Sequence, residues 1–218
     1  MNKYRIVFMG TPDFGVPALE AMTLHGYKPV AIYCQPDRIN GRGRKINYSP
    51  VKSFGLSHDI PVYQPDSLKN PEEQEKLKAL SPDLLVVIAY GKILPKAVLD
   101  IPTYGAINVH ASLLPKYRGA APIQRVIIDG EKETGVTIMQ LDEGMDTGNI
   151  ISTVKMAIPP HMNAGELFDQ LGSLGARELI HVLDDLPEKL KHSIPQNQEE
   201  ASYAEKITKD MGHRSEER

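Results

Sequence analysis

The sequence contains no tryptophan and a single cysteine, Cys34, so it cannot form an internal disulfide. This cysteine usage agrees with a reducing compartment, in which the core alone holds the fold together. No apolar run approaches the roughly 20 residues that a membrane-spanning helix needs, and no signal-peptide pattern precedes the first predicted strand. We therefore expect a cytoplasmic protein that does not associate with membranes.

Two further absences narrow the function. The net charge is −3, so the chain lacks the overall basic field of many nucleic-acid-binding proteins, and any contact with RNA must come from a local patch. The seven histidines are scattered, and no grouping of histidine, cysteine and carboxylate residues has the spacing of a metal site. We expect a protein without a bound metal.

The apolar pattern predicts an α/β fold. An apolar run at residues 6–9 is followed by a glycine turn, a helical pattern that ends near Gly26, and a second strand at 29–33. Residues 83–91 form a continuous apolar run, which is typical of a central strand buried on both faces. We predict a Rossmann-like, open, mostly parallel sheet flanked by helices, in a catalytic domain at 1–186. Residues 187–218 are polar and predict a linker or tail.

The first turn resembles a dinucleotide-binding loop only superficially. Gly10 and Gly15 stand at the ends of the glycine pattern, but the middle glycine is replaced by Pro12. No acidic residue directly follows the second strand, where a ribose hydroxyl would need one. The sequence therefore argues against a nicotinamide cofactor.

The most informative stretch is 105–124. A short strand at 106–109 carries Asn108 and His110 at its far end, and rigid turns at Pro115 and Pro122 follow. Residues two apart on a strand point to the same face, and ligands of open α/β sheets bind at the carboxyl ends of strands. An amide beside an imidazole suits a reaction in which an oxygen gains charge while a proton moves. The alternative is a structural histidine and an asparagine that caps a turn.

Two other segments carry candidate functional residues. Residues 37–48 contain four basic residues and two glycines in a long loop, which favours either phosphate recognition or a solvated surface loop. Residues 141–148 form a predicted turn between two strands and carry three carboxylates, Asp142, Glu143 and Asp146. Such a turn is more often structural than catalytic.

The string Asn-Val-His-Ala-Ser-Leu-Leu-Pro-Lys-Tyr-Arg-Gly at 108–119 resembles the signature of the folate-dependent formyltransferases. Gly-Thr-Pro-Asp-Phe at 10–14 is similar to the opening motif of that family, and Met-Asp-Thr-Gly at 145–148 follows its aspartate motif. The flanking Ala-Ala-Pro-Ile-Gln-Arg at 120–125 resembles the branch that acts on initiator methionyl-tRNA. The resemblance covers nearly the whole chain.

This resemblance implies a reaction and a set of roles. The formyl group of 10-formyltetrahydrofolate would pass to the amino group of methionyl-tRNA through a tetrahedral intermediate held by Asn108 and His110, with Asp146 facing them. It also implies a folate-binding set, which comprises Ile88, Ala89, Tyr90, Gly91, Leu94, Ser112, Leu113, Leu114, Pro115, Leu141 and Asp142. The basic loop would contact the initiator tRNA through Arg38, Arg42, Arg44 and Lys45. Arg42 would probe the acceptor end, and the loop would be disordered without RNA.

Other functions stay open at this point. A related small-molecule formyltransferase or a formyltetrahydrofolate hydrolase has the same fold, although small-molecule versions need no long basic loop. A folate-binding remnant with little tRNA activity is a third possibility, because we expect the family's second, C-terminal domain to be missing and residues 212–218 to be disordered. We expect a monomer.

Overall fold

The computed structural model describes residues 3–40 and 45–208, and at residues 38–40, 45 and 46 it describes the backbone only. A seven-stranded sheet runs in the order β5-β2-β1-β6-β7-β8-β9. Strands β5, β2, β1, β6 and β7 are parallel, whereas β8 and β9 are antiparallel to their neighbours. The strands are β1 Ile6–Gly10, β2 Ala31–Tyr33, β5 Val62–Tyr63, β6 Leu84–Ile88, β7 Ala106–His110, β8 Glu133–Gln140 and β9 Ile150–Ala157. The predicted α/β class is confirmed.

Seven α-helices lie in the described part of the chain: α1 Val16–Leu24, α2 Pro50–Ser57, α3 Pro71–Ala79, α4 Lys96–Leu99, α5 Pro122–Ile128, α6 Ala164–Asp184 and α7 Leu186–Lys191. Their starts follow from local chemistry. Ser49 and Asn70 cap α2 and α3, each with a proline in the first turn. Asn163 and Glu166 form the capping box that the sequence predicts for α6.

Each face of the sheet carries its own core. Alternate strand residues such as Phe8, Val86 and Val109 pack with α1 and α6 in one cluster. The intervening residues, including Met9, Val87 and Ala106, form the second cluster with side chains from α3 and α4. This alternation follows from the two-residue period of a strand. Ala106, Asn108 and His110 therefore point to the face of α3 and α4.

The structure corrects one prediction. The segment after β2 was expected to be an irregular loop, but β3 Arg38–Asn40 and β4 Lys45–Asn47 form a short antiparallel ribbon. Two strands pair through their backbones, so a ribbon of this length needs no apolar periodicity to form. Arg42 and Arg44 lie outside the described residues, as does the charged end at 212–218.

The polar segment after α7 packs against the main sheet and its loops. Ile194 forms a β-bridge with Ile150 of β9, and Tyr203 forms one with Arg118. Ala204 is buried. The predicted domain boundary at residue 186 stays a prediction, but residues 194–204 contact the same unit as the residues before it. In the described part of the chain, no helix is long and apolar enough to span a membrane.

Candidate active site

The turns that follow three parallel strands meet at the carboxyl edge of the sheet. The backbone N–H of Gln35, after β2, donates to Thr11 Oγ1, after β1, at 3.2 Å. The Gln35 side chain donates to the carbonyl of Tyr90, after β6, at 2.9 Å. Strand β7 lies beside β6, with Asn108 opposite Val87. The predicted Asn108–His110 pair therefore lies at the edge of the sheet where ligands of α/β folds bind.

The side-chain amide of Asn108 has no hydrogen-bond partner among the described residues. The residue is the partly exposed middle residue of β7. Polar groups on a central strand are ordinarily paired within the protein. The Asn108 amide is thus available to a ligand.

His110 is buried and held by a neighbouring carbonyl. Its Nε2 lies 2.9 Å from the carbonyl oxygen of Tyr117. Because a carbonyl oxygen only accepts, Nε2 carries a hydrogen, and in the neutral ring Nδ1 carries the lone pair. Nδ1 faces Asp146, with 3.7 Å between it and Asp146 Oδ2. That distance is too long for a hydrogen bond, so Tyr117 rather than Asp146 orients the ring.

Asp146 is fixed from two sides. Its Oδ2 accepts a hydrogen bond from the Gly119 backbone N–H at 2.8 Å, and its carbonyl accepts one from Gln196 Nε2 at 2.9 Å. Its φ of 55° lies in the left-handed region, which is unfavourable for a residue with a side chain. These contacts place the Asp146 carboxylate beside His110. Another carboxylate of the turn, Asp142, forms hydrogen bonds within the turn itself. Its Oδ1 accepts from Gly144 N at 3.0 Å and from Thr147 Oγ1 at 2.7 Å.

A pocket of about 270 Å³ opens at the start of β7. Leu99, Tyr104, Ala106 and Leu141 form its apolar part, and Asp142 lies at its rim with other charged residues. Asn108 and His110 do not line it. Ala106, Asn108 and His110 nevertheless share one face of β7 at intervals of about 7 Å, so the pocket and the Asn–His pair occupy the two ends of one strand face.

The structure separates the remaining predicted folate residues into groups. Tyr90 and Leu94 lie in the core cluster of the Asn108 face, and Ala89 and Gly91 adopt positive φ in the turn after β6. Burial raises the pKa of Tyr90 to about 12. The Ile88 side chain lies in the core cluster of the opposite face.

Ser112, Leu113, Leu114 and Pro115 belong to the loop after β7. The Ser112 hydroxyl is fully buried and donates to the Lys116 carbonyl at 2.7 Å. Thr137 of β8 donates to the Ser112 carbonyl at 2.7 Å and accepts from Leu114 N at 3.1 Å. Ser112 and Leu114 therefore tie the loop to β8.

The base of the basic segment is anchored. The Lys52 ammonium donates to the Asp37 carboxylate, and Gln64 Nε2 donates to Asp37 Oδ1 at 2.9 Å. The hydrogen bond from Lys52 holds the pKa of Asp37 below its usual value, and Gln64 adds to the effect. Arg38 and Lys45 follow in the paired strands of the ribbon. The network fixes the point from which the ribbon leaves the sheet.

Sequence reasoning missed three features of this site. The carbonyl of Tyr117 that holds His110 is a backbone group, and no side-chain pattern reveals it. Gln196 lies in the segment that was predicted to be a tail. Ala106 carried a usable signal, because it stands two residues before Asn108 and so shares its face. In the part of the chain that the structure describes, no group of three metal-binding side chains occurs.

Comparison with known proteins places the chain in a family. A family model described as formyl transferase matches residues 4–183. The methionyl-tRNA formyltransferase of Hydrogenovibrio crunogenus is 52% identical over 205 residues, which are 94% of this chain and 66% of the relative. That of Marinobacter nauticus is 51% identical over 209 residues, which are 96% of this chain and 67% of the relative. The chain thus spans about two thirds of the length of these relatives.

Solved structures share the fold. Phosphoribosylglycinamide formyltransferase from Streptococcus pneumoniae is 19% identical with a TM-score of 0.69, over 84% of this chain and 98% of that chain. An N-formyltransferase from Helicobacter canadensis, solved with folinic acid and dTDP-3-aminofucose, is 24% identical with a TM-score of 0.69, over 94% of this chain and 71% of that chain. At these identities the likeness establishes the fold alone. The family match and the relatives of about 50% identity show that this chain belongs to the formyl transferase family, in the branch of the methionyl-tRNA formyltransferases.

Proposed function

We propose that the chain transfers the formyl group of 10-formyltetrahydrofolate to the amino group of initiator methionyl-tRNA in the cytoplasm. One observation carries the proposal: at the carboxyl edge of the sheet, an unpartnered amide shares a strand face with His110, whose Nδ1 is 3.7 Å from Asp146. The set occurs in a chain about half identical to methionyl-tRNA formyltransferases. An amide can hold the oxygen that gains charge in this transfer, and an imidazole with a carboxylate can move the proton.

The residues present fit a folate. The pocket at the start of β7 combines an apolar part that includes Leu141 with charged residues such as Asp142, and such a lining would hold a flat ring with polar edges. The shared face of β7 leads from Ala106 to Asn108, so a ligand seated in the pocket would extend toward the unpartnered amide. When bound, the folate supplies a formyl group on nitrogen that an amine can attack.

Asn108 would hold the formyl oxygen. Attack by an amine moves negative charge onto that oxygen, and a neutral N–H donor in a partly enclosed site stabilises it. One such donor lowers the barrier by about 2.7–4 kcal/mol. Because no described residue hydrogen-bonds the amide, it can act without first releasing one of them.

His110 and Asp146 would move the proton that the attacking amine loses, passing it to the folate nitrogen, whose bond to the formyl carbon breaks once the new C–N bond has formed. Tyr117 holds Nε2 of the ring, so Nδ1 is the atom that exchanges a proton. Nδ1 and Asp146 Oδ2 are too far apart to bond each other, but both can contact one amine seated between them. Neither Ser112 nor Cys34 suits a covalent route, because both side chains are fully buried.

The ribbon of β3 and β4 would contact the tRNA. Asp37, Lys52 and Gln64 hold its base near the carboxyl edge of the sheet, close to the turns that follow β1, β2 and β6. Four basic residues of the ribbon segment would then contact phosphates near the acceptor end of the tRNA: Arg38, Arg42, Arg44 and Lys45. The chain would act as a monomer. Because the net charge of the chain is negative, the attraction to the tRNA would come from this local group of arginine and lysine residues.

The direct test is transfer of labelled formyl from the folate donor to charged initiator tRNA, with charged elongator tRNA as the control substrate and His110→Ala as the control protein. We expect formyl-methionyl-tRNA from the initiator only, and a loss of orders of magnitude in His110→Ala. Release of formate without a tRNA product would indicate a hydrolase. Folate binding without either product would indicate a binding protein, and both results would overturn the proposal.

A further inference from the structure

Next to the Tyr117 carbonyl that holds His110 lies a buried cation that has no counter-ion among the described residues. The Arg118 side chain is fully buried, and its guanidinium donates to side-chain amides. Its Nε and Nη2 donate to Gln196 Oε1 at 3.0 and 2.7 Å, and its Nη1 donates to Gln198 Oε1 at 2.8 Å. Two neutral amides therefore satisfy a charge that usually requires a carboxylate.

The side-chain nitrogen of Gln196 binds the turn that carries Asp146. Its Nε2 donates to the carbonyls of Asp146 and Gly148 at 2.9 and 2.7 Å. The orientation of the amide is unambiguous, because a guanidinium only donates and a carbonyl only accepts. One buried side chain thus joins the Arg118 guanidinium to the backbone of the catalytic turn.

This bridge explains how an unfavourable backbone is held. Asp146 has a φ of 55°, and a residue with a side chain keeps such a conformation only when its surroundings enforce it. The carboxylate is fixed by Gly119 N, whereas the carbonyl is fixed by Gln196. Without Gln196, Asp146 keeps only the first of these two hydrogen bonds.

Gln196 is brought to the site by a paired segment. Ile194 bridges to Ile150 at one end, and at the other end Arg118 N donates to Ser202 O at 2.8 Å while Tyr117 N donates to Ser202 Oγ at 2.9 Å. The segment contacts both the loop that holds His110 and the turn that holds Asp146. It therefore sets the relative positions of these two elements.

We propose that Gln196 is a positioning residue that acts through Asp146, and that the segment 194–204 serves to bring Gln196 to the turn. This inference rests on the proposed formyl transfer. A displacement of about 1 Å in a catalytic group can cost about 100-fold in rate. Loss of Gln196 should therefore lower kcat while leaving substrate binding largely intact.

The experiment compares Gln196→Ala with Gln198→Ala in the full chain. Gln196→Ala removes two hydrogen bonds to Arg118 and Gln198→Ala removes one, but only the first substitution removes the contact with Asp146 and Gly148. We expect kcat to fall about 10- to 100-fold in Gln196→Ala, with KM for both substrates changed less than about threefold, and kcat of Gln198→Ala to stay within about twofold. In an Asp146→Asn background, Gln196→Ala should add no further loss, because both act through one group.

A second readout does not depend on activity. Hydrogen exchange at the backbone amides of 144–149 should accelerate in Gln196→Ala and stay unchanged in Gln198→Ala. Equal effects of the two variants on kcat and exchange, or a full additional loss in the Asp146→Asn background, would overturn the positioning role. If the unsubstituted chain transferred no formyl group, the proposed function would fail, and the exchange comparison would still decide whether Gln196 holds the turn.

Discussion

Replacing Asn108 by alanine should separate activity from stability. Asn108 is partly exposed, and no described residue accepts or donates a hydrogen bond at its side-chain amide. The substitution therefore breaks no internal contact, and we expect the free energy of unfolding to change by less than about 0.5 kcal/mol. Loss of an oxyanion donor should lower kcat about 10²- to 10³-fold, which corresponds to about 2.7–4 kcal/mol of barrier.

Asn163→Ala is the matched control, because it removes the same group from a structural position. Asn163 Oδ1 accepts from Gly165 N at 2.9 Å and from Glu166 N at 3.0 Å, at the start of α6. Loss of such a cap costs about 1 kcal/mol. In a chain of this size that corresponds to a fall in Tm of about 2–4 °C. Its kcat should be unchanged.

The assays are urea unfolding for stability and single-turnover formyl transfer at saturating folate donor for chemistry. Single turnover separates the chemical step from product release. An Asn108→Ala protein with kcat within about threefold of the parent would remove the oxyanion role. A loss of stability equal to that of Asn163→Ala would show that the amide has an internal task, which would refute the structural reasoning.

Three further results are expected. Thr137→Val removes the hydroxyl that joins Ser112 O and Leu114 N, which leaves two backbone groups unsatisfied. The free energy of unfolding in urea titration should fall by about 1–3 kcal/mol, and a change below about 0.5 kcal/mol would contradict this. Burial raises the pKa of the Cys34 thiol, so iodoacetamide should modify it slowly in the native protein at neutral pH and rapidly once the chain is unfolded. Rapid labelling of the native protein would show that the thiol is accessible. The pKa of Asp37 is lowered, so its contribution to stability should be present at neutral pH and lost as pH falls through its folded pKa. The difference in Tm between the parent and Asp37→Asn should therefore shrink on acidification, and a difference that grew would contradict the sign.

Local pattern was enough to predict most of the fold. The apolar run that became β6 is buried throughout and lies between β1 and β7, because only a central strand needs apolar residues on both faces. The start of α6 was equally clear, since a capping box depends on residues three apart. The ribbon β3–β4 was missed because backbone pairing of this length leaves no side-chain signal.

Local sequence pattern predicts some features of the site and not others. The spacing of Asn108 and His110 on one strand is a local property, so their common face followed from sequence alone. The placement of the Ile88 side chain on the opposite face is also a matter of strand alternation. The nearness of His110 to Asp146, over 36 positions of sequence, depends on how the turn after β8 folds back.

Only the tertiary structure revealed what holds these groups. The carbonyl of Tyr117 and the amide of Gln196 act through hydrogen bonds whose partners lie far apart in the chain or on the backbone. A polar segment such as 194–204 has the composition of a tail, because the energy that orders it comes from contacts with the loop and turn rather than from an apolar face. Periodicity and motif record which residues a strand or helix presents, whereas long-range hydrogen bonds become visible only when the chain has brought their partners together.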